Sequence, residues 1–88
     1  MSLFSRLFGS KPKEIMSETY EGFRIYAEPM SEGRIYRLAA RIELGEGDAM
    51  KTHQLIRADT FESEDAAIAA STAKAKQMID QQGERLFN

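Results

Sequence analysis

Apolar and polar residues alternate along three stretches of the chain and follow a helical period along a fourth. In residues 20–28, Phe23, Ile25 and Ala27 alternate with Arg24, Tyr26 and Glu28. Period-two alternation predicts a half-buried strand, because successive side chains leave opposite faces. Pro29 ends that strand, and residues 29–33 read as a loop in which Gly33 is free to take positive φ. Alternation resumes over residues 34–44. Tyr36, Leu38, Ala40 and Ile42 share one face; Ile35, Arg37, Ala39, Arg41 and Glu43 share the other. Gly45, Glu46, Gly47 and Asp48 form a turn whose acidic residues lack the spaced ligands of a calcium loop. A third strand covers residues 50–59. Its phase is less marked, because Leu55 and Ile56 are adjacent and both apolar. With Gln54, Ile56 and Ala58 placed inward, Leu55, Arg57 and Asp59 point outward, and a shift of one residue reverses all of them.

The period then changes to that of a helix. Stepping 100° per residue from Ile68 puts Ile68, Thr72, Ala75, Ile79, Gln82 and Leu86 on one stripe, flanked by Ser71 and Met78. Gln77, Gln81, Glu84 and Ala70 lie opposite. Small residues on the buried stripe let the helix approach another surface closely. Ala66, Ala67, Ala69, Ala70, Ala73 and Ala75 add strong local propensity. Ser63 is placed to cap the helix, and Glu62, Glu64 and Asp65 put negative charge at its positive end. Gly83 stops it near Gln82, after which Leu86 and Phe87 can fold back on the core.

These elements predict an α+β domain: a three-stranded antiparallel meander with one long C-terminal helix on its apolar face, βββα, over residues 19–88. Residues 1–18 form a separate N-terminal segment and linker. Within it Leu3, Phe4, Leu7 and Phe8 are spaced for one helical face beside Arg6, Lys11 and Lys13. Such a short helix is marginal alone. It reads either as a basic amphipathic segment touching a membrane surface or as an end that docks on the core or on a protein partner.

Composition narrows the function classes. The chain has no cysteine, which excludes disulfide scaffolds, thiolate metal sites and a cysteine nucleophile, and which fits a reducing cytoplasm. A net charge of −2 lacks the basic excess of a dedicated nucleic-acid binder. No run of about 18 apolar residues is present to span a membrane. His53 is the sole histidine, no nucleophile elbow or phosphate loop is found, and no spacing of metal ligands appears. Neither enzyme activity nor a cofactor is expected.

One surface carries candidate chemistry. In this phasing the outer sheet face displays Arg24, Tyr26, Arg37, Arg41 and Arg57. Arginines beside an aromatic ring on a sheet can hold phosphates and stack on bases. Glu28, Glu43 and Asp59 share the face, so cross-strand pairs would neutralise the arginines instead.

Several segments carry a family resemblance. They are the opening Met1-Ser2-Leu3-Phe4-Ser5-Arg6-Leu7-Phe8-Gly9, Tyr20-Glu21-Gly22-Phe23, Ile56-Arg57-Ala58-Asp59-Thr60-Phe61, and the ending Ile79-Asp80-Gln81-Gln82-Gly83-Glu84-Arg85-Leu86-Phe87. Together they resemble the small bacterial HlyU-like proteins over nearly the whole chain. That family is labelled a transcriptional activator, so the resemblance implies DNA-associated regulation; it supplies no catalytic or ligand residues. The sequence offers one long helix, where a helix-turn-helix reader needs two. Regulation would therefore work through a protein partner or through the arginine-bearing face. The alternative is a homodimeric structural or adaptor protein without nucleic-acid contact, using a sheet edge or the segment at Leu3, Phe4, Leu7 and Phe8.

Overall fold

The alternating segments do form an antiparallel sheet with one C-terminal helix packed on it, but the sheet has five strands rather than three. A computed structural model describes residues 17–88. The segment with Leu3, Phe4, Leu7 and Phe8 lies outside the described residues. The strands are β1 (Ser17–Tyr20), β2 (Phe23–Ala27), β3 (Met30–Glu32), β4 (Ile35–Leu44) and β5 (Lys51–Phe61), followed by α1 (Glu64–Gln82).

Both additional strands come from hairpin turns. Glu21 and Gly22 have φ of 52° and 85°, the two positive values that a type I′ turn requires. That turn folds Ser17–Tyr20 back on β2, with Tyr20 opposite Phe23, where the sequence suggested a linker up to residue 18. Gly33, with φ of 67°, opens the turn that sets Glu32 opposite Ile35, so part of the expected 29–33 loop is a strand. β2 and β3 pair with different parts of the same edge of β4, separated by Glu28 and Pro29. These two residues lie opposite Ala39 and Leu38, where the register of β4 with β5 also shifts.

At this break the Ala39 carbonyl accepts the Glu28 N–H at 2.9 Å, while the Ala39 N–H donates to Ser71 Oγ on α1 at 3.1 Å. Ser71 is fully buried. A small polar residue in the helix stripe thus serves an amide that the interrupted sheet leaves over. Ser71→Ala should therefore cost about 1–3 kcal/mol, the penalty for a buried donor left unpaired. Urea unfolding measures it, and a loss under about 0.5 kcal/mol, the size of a neutral surface change, would mean that the amide has another partner.

The core joins Phe23, Ile25, Leu38, Ala40 and Ile42 of the sheet to Ala75, Met78 and Ile79 of α1. β2 and β4 thus keep the faces that their alternation assigns. β5 does not. Leu55 is 1% exposed and Ile56 is 51% exposed, so its phase is the reverse of the expected one. Residues directly opposite in an antiparallel pair share a face, and Leu55 stands opposite the inward Ala40. Phe61, six residues on and so on the same face as Leu55, packs against the core opposite Tyr36.

Ser63 caps α1 as expected: its Oγ accepts the Ala66 N–H at 3.1 Å. The buried stripe runs through Ala67, Ser71, Ala75, Met78 and Ile79. It is rotated by about 50°, half of one residue's step, from the expected stripe, because the small residues Ala67 and Ser71 permit the closest approach to the sheet. Ile68 and Thr72 are only half-buried and Gln82 is exposed. Gly83 (φ 54°, ψ −133°) ends the helix in a conformation that suits glycine. A short 3-10 helix, Gly83–Phe87, then returns Leu86 to the core and stacks Phe87 on Phe23, with ring centroids 6.1 Å apart.

Candidate interaction face

α1 covers one face of the sheet, and among the described residues no element covers the other. Period two places Arg24, Tyr26 and Glu28 on the open face, with Arg41 opposite Tyr26 and Glu43 opposite Arg24. Met30 lies opposite Arg37 on the same side. Of the five candidate residues, Arg24, Tyr26, Arg37 and Arg41 are thus brought together.

Arg57 is not among them. The reversed phase of β5 turns it to the helix side, where its Nη2 donates to Met78 Sδ at 3.2 Å and its Nη1 to the Ile56 carbonyl at 3.3 Å. The expected five-residue surface is therefore corrected to four.

Each of the three outer-face arginines meets a carboxylate. Arg37 grips Glu32 with two parallel bonds, at 2.7 and 2.9 Å. Such fork-to-fork pairs fix geometry as well as charge. The bond from Arg37 is the main reason that the Glu32 carboxyl ionises below its ordinary range, and Glu32 in turn holds the Arg37 guanidinium protonated to higher pH than usual. Arg41 lies 3.4 Å from Glu28 and 3.4 Å from Glu43, with its guanidinium 4.2 Å from the centre of the Tyr26 ring. Arg24 lies 3.6 Å from Glu43 and donates to the Gly45 carbonyl at 2.6 Å. Glu43 is buried and shared by two arginines. Gly45 is held in place by its φ of 89° and by the Ala49 carbonyl, which an added Cβ would meet at 2.8 Å. The turn that carries this acceptor therefore requires glycine.

Beside the charged network lies an apolar patch that sequence reasoning missed. Met30 and Ile56 are 43% and 51% exposed. With Glu28, Ala39 and Gln54 they border a groove of about 230 Å³. The alternation alone puts Met30 in a loop and Ile56 in the core; Phe61, opposite Tyr36 on the core face, is the signal that turns Ile56 outward.

A second hollow, of about 450 Å³, lies at the end of α1 between Glu21, Phe23, Leu44, Ile79, Asp80 and Glu84. Nearby, the Tyr20 hydroxyl donates to Asp80 at 2.9 Å, and this bond is the main cause of its raised ionisation range. Lys76 pairs with Glu18 at 2.5 Å, so β1 is tied to the helix by side chains at both of its ends. Among the described residues no helix is long and apolar enough to cross a membrane.

Comparison with curated proteins and with solved structures finds no match. A family model described as transcriptional activator HlyU matches residues 2–87, nearly the whole chain, and the chain therefore belongs to the HlyU family.

Proposed function

We propose that the chain is a non-enzymatic regulatory domain that contributes to transcriptional control through a protein partner rather than by holding DNA on its open sheet face. The family supports the regulatory half of this reading. One observation supports the other half: Arg24, Arg37 and Arg41 are each engaged by Glu43, Glu32 or Glu28. Phosphate binding gains free energy by releasing counterions from the nucleic acid, which needs cations without partners. To offer Arg24 or Arg41 to a phosphate, this face would have to strip Glu43, a buried carboxylate, of its counter-charge. Leaving a buried charge unpaired costs more than a surface phosphate contact returns. The described residues also contain a single long helix, α1, where a helix-turn-helix would need two. The patch at Met30 and Ile56 is the kind of surface that a protein partner covers.

The test is a backbone NMR titration with duplex DNA at about 20 mM and about 150 mM salt, on either side of the screening length at which surface charges stop interacting. The expected result is no saturable shift at Arg24, Arg37 or Arg41 at either salt. Saturable shifts clustered on those arginines and weakened by salt would overturn the reading and restore direct DNA contact.

A further inference from the structure

The hollow at the end of α1 combines an apolar floor with a charged rim. Phe23 and Ile79 are buried and Leu44 half-buried, while Glu21, Asp80 and Glu84 stand exposed around them. Asp80 accepts the neutral Tyr20 hydroxyl, and among the described residues no cation pairs with any of the three carboxylates. The cations of this part of the chain are engaged elsewhere: Lys74 on Gln77, Lys76 on Glu18 and Arg85 on the Gln81 carbonyl. The last turn of α1 carries no basic residue, so the negative end of the helix dipole adds to the same side. An occupant of this hollow therefore needs both apolar and cationic side chains.

The chain itself holds that complement. Residues 1–16 contain three basic residues and one acidic residue, whereas residues 17–88 contain nine basic and thirteen acidic. Within residues 3–8 the apolar Leu3, Phe4, Leu7 and Phe8 flank Arg6, and Lys11 and Lys13 follow. The tether is long enough. Glu21 follows Ser17 at the far end of β1, about 13 Å along the strand. The nine residues from Phe8 to Ser17 span up to about 30 Å when extended. A short flexible tether also supplies an effective concentration on the order of millimolar, so a weak contact suffices to hold the segment. The groove at Met30 and Ile56 fits this segment less well, because Glu28, the one carboxylate on its border, is already taken by Arg41.

We infer that the hollow is the docking site of this chain's own N-terminal segment. Apolar side chains of residues 3–8 cover Phe23, Leu44 and Ile79, and Arg6 with the two lysines answers Glu21, Asp80 and Glu84. A segment seated there is withheld from any membrane surface or partner that its apolar face would fit. This inference stands apart from the proposed role in transcription.

Paramagnetic broadening in NMR spectra of the full chain tests it. The chain has no cysteine, so Ser5→Cys carries a nitroxide at one place. In dilute solution the amides of Glu21, Leu44, Asp80 and Glu84 should lose more than half of their intensity, while those of Met30, Arg41 and Ile56 keep theirs. Glu21→Lys with Glu84→Lys, two exposed positions, should leave the other amide positions in place and abolish the broadening. Phe4→Ser with Phe8→Ser should abolish it as well. Raising the salt from ~150 mM to ~1 M, which shortens the screening length from about 8 to about 3 Å, should weaken it. Broadening that is absent, spread evenly or centred on Met30 and Ile56 overturns the inference. So does broadening at the hollow that survives both double variants. A nitroxide-labelled copy mixed with an isotope-labelled copy should broaden nothing in the latter; broadening of its hollow would seat a second copy's segment there and overturn docking within one chain.

Discussion

Leu55→Ala should lower the unfolding free energy by about 2–5 kcal/mol, the usual range when a buried leucine is truncated and the cavity closes only in part. Ile56→Ala, one residue along the same strand, should cost less than about 1 kcal/mol, the span of strand propensity at an exposed site. The contrast rests on position alone. Leu55 is 1% exposed and packs among Ile25, Ala40, Ile42 and Met78, whereas Ile56 is 51% exposed on the far side of the sheet. In a domain whose whole stability is on the order of 5–15 kcal/mol, the first change removes a large share and the second very little. For a domain of this size each lost kcal/mol lowers Tm by roughly 4–8 °C, so Leu55→Ala should fall by about 10 °C or more. Urea unfolding at low micromolar concentration, where any self-association is dilute, measures both variants. Equal losses, or a larger loss at Ile56, would sink the orientation of β5 on which the outer face and its exposed apolar patch depend.

The same pair of residues marks how far the sequence could be read. β2 was legible because Phe23 and Ile25 alternate with polar neighbours; in β4 Leu38, Ala40 and Ile42 outweigh Ile35 and Ala39 on the other face, where Arg37, Arg41 and Glu43 also stand. β5 was not, because Leu55 and Ile56 together satisfy either phase. Phe61 decides it: the register of β5 on β4 shifts by two residues between them, an even number, so Leu55 and Phe61 keep the same face. The two short strands were missed for another reason. Ser17–Tyr20 and Met30–Glu32 carry almost no apolar alternation, and their pairing is driven by turn chemistry at Glu21-Gly22 and Gly33. The helix was legible in its cap at Ser63 and its stop at Gly83. Its buried stripe lies about 50° from the one the periodicity gives, because alanine and serine weigh little in a periodicity yet set the closest approach. As for the candidate face, the competition between Arg24, Arg37, Arg41 and the glutamates was visible, but Glu32 was hidden in a supposed loop. Only the β3 hairpin brings it to Arg37.

Replacing Glu28, Glu32 and Glu43 together by glutamine should turn a face that ignores polyanions into one that binds them. Each substitution keeps side-chain length and a hydrogen-bond acceptor while removing the charge that now sits on an arginine. Arg41 is then freed from Glu28 and Glu43, Arg37 from Glu32 and Arg24 from Glu43. Three released cations give a slope of about −2.7 in log K against log salt, so affinity for duplex DNA should fall about 40-fold between ~50 and ~200 mM salt. The parent chain should give neither the affinity nor the slope. Adding Arg24→Gln, Arg37→Gln and Arg41→Gln to the triple variant should abolish both. Fluorescence anisotropy with a labelled duplex measures all three proteins. A parent chain that already binds with the slope of the triple variant would mean that the glutamates do not close this face, and would return the arginines to direct contact with nucleic acid. A triple variant that stays inert while folded would mean that something besides the carboxylates withholds the guanidinium groups, with the stacking of Arg41 on Tyr26 the first contact to remove.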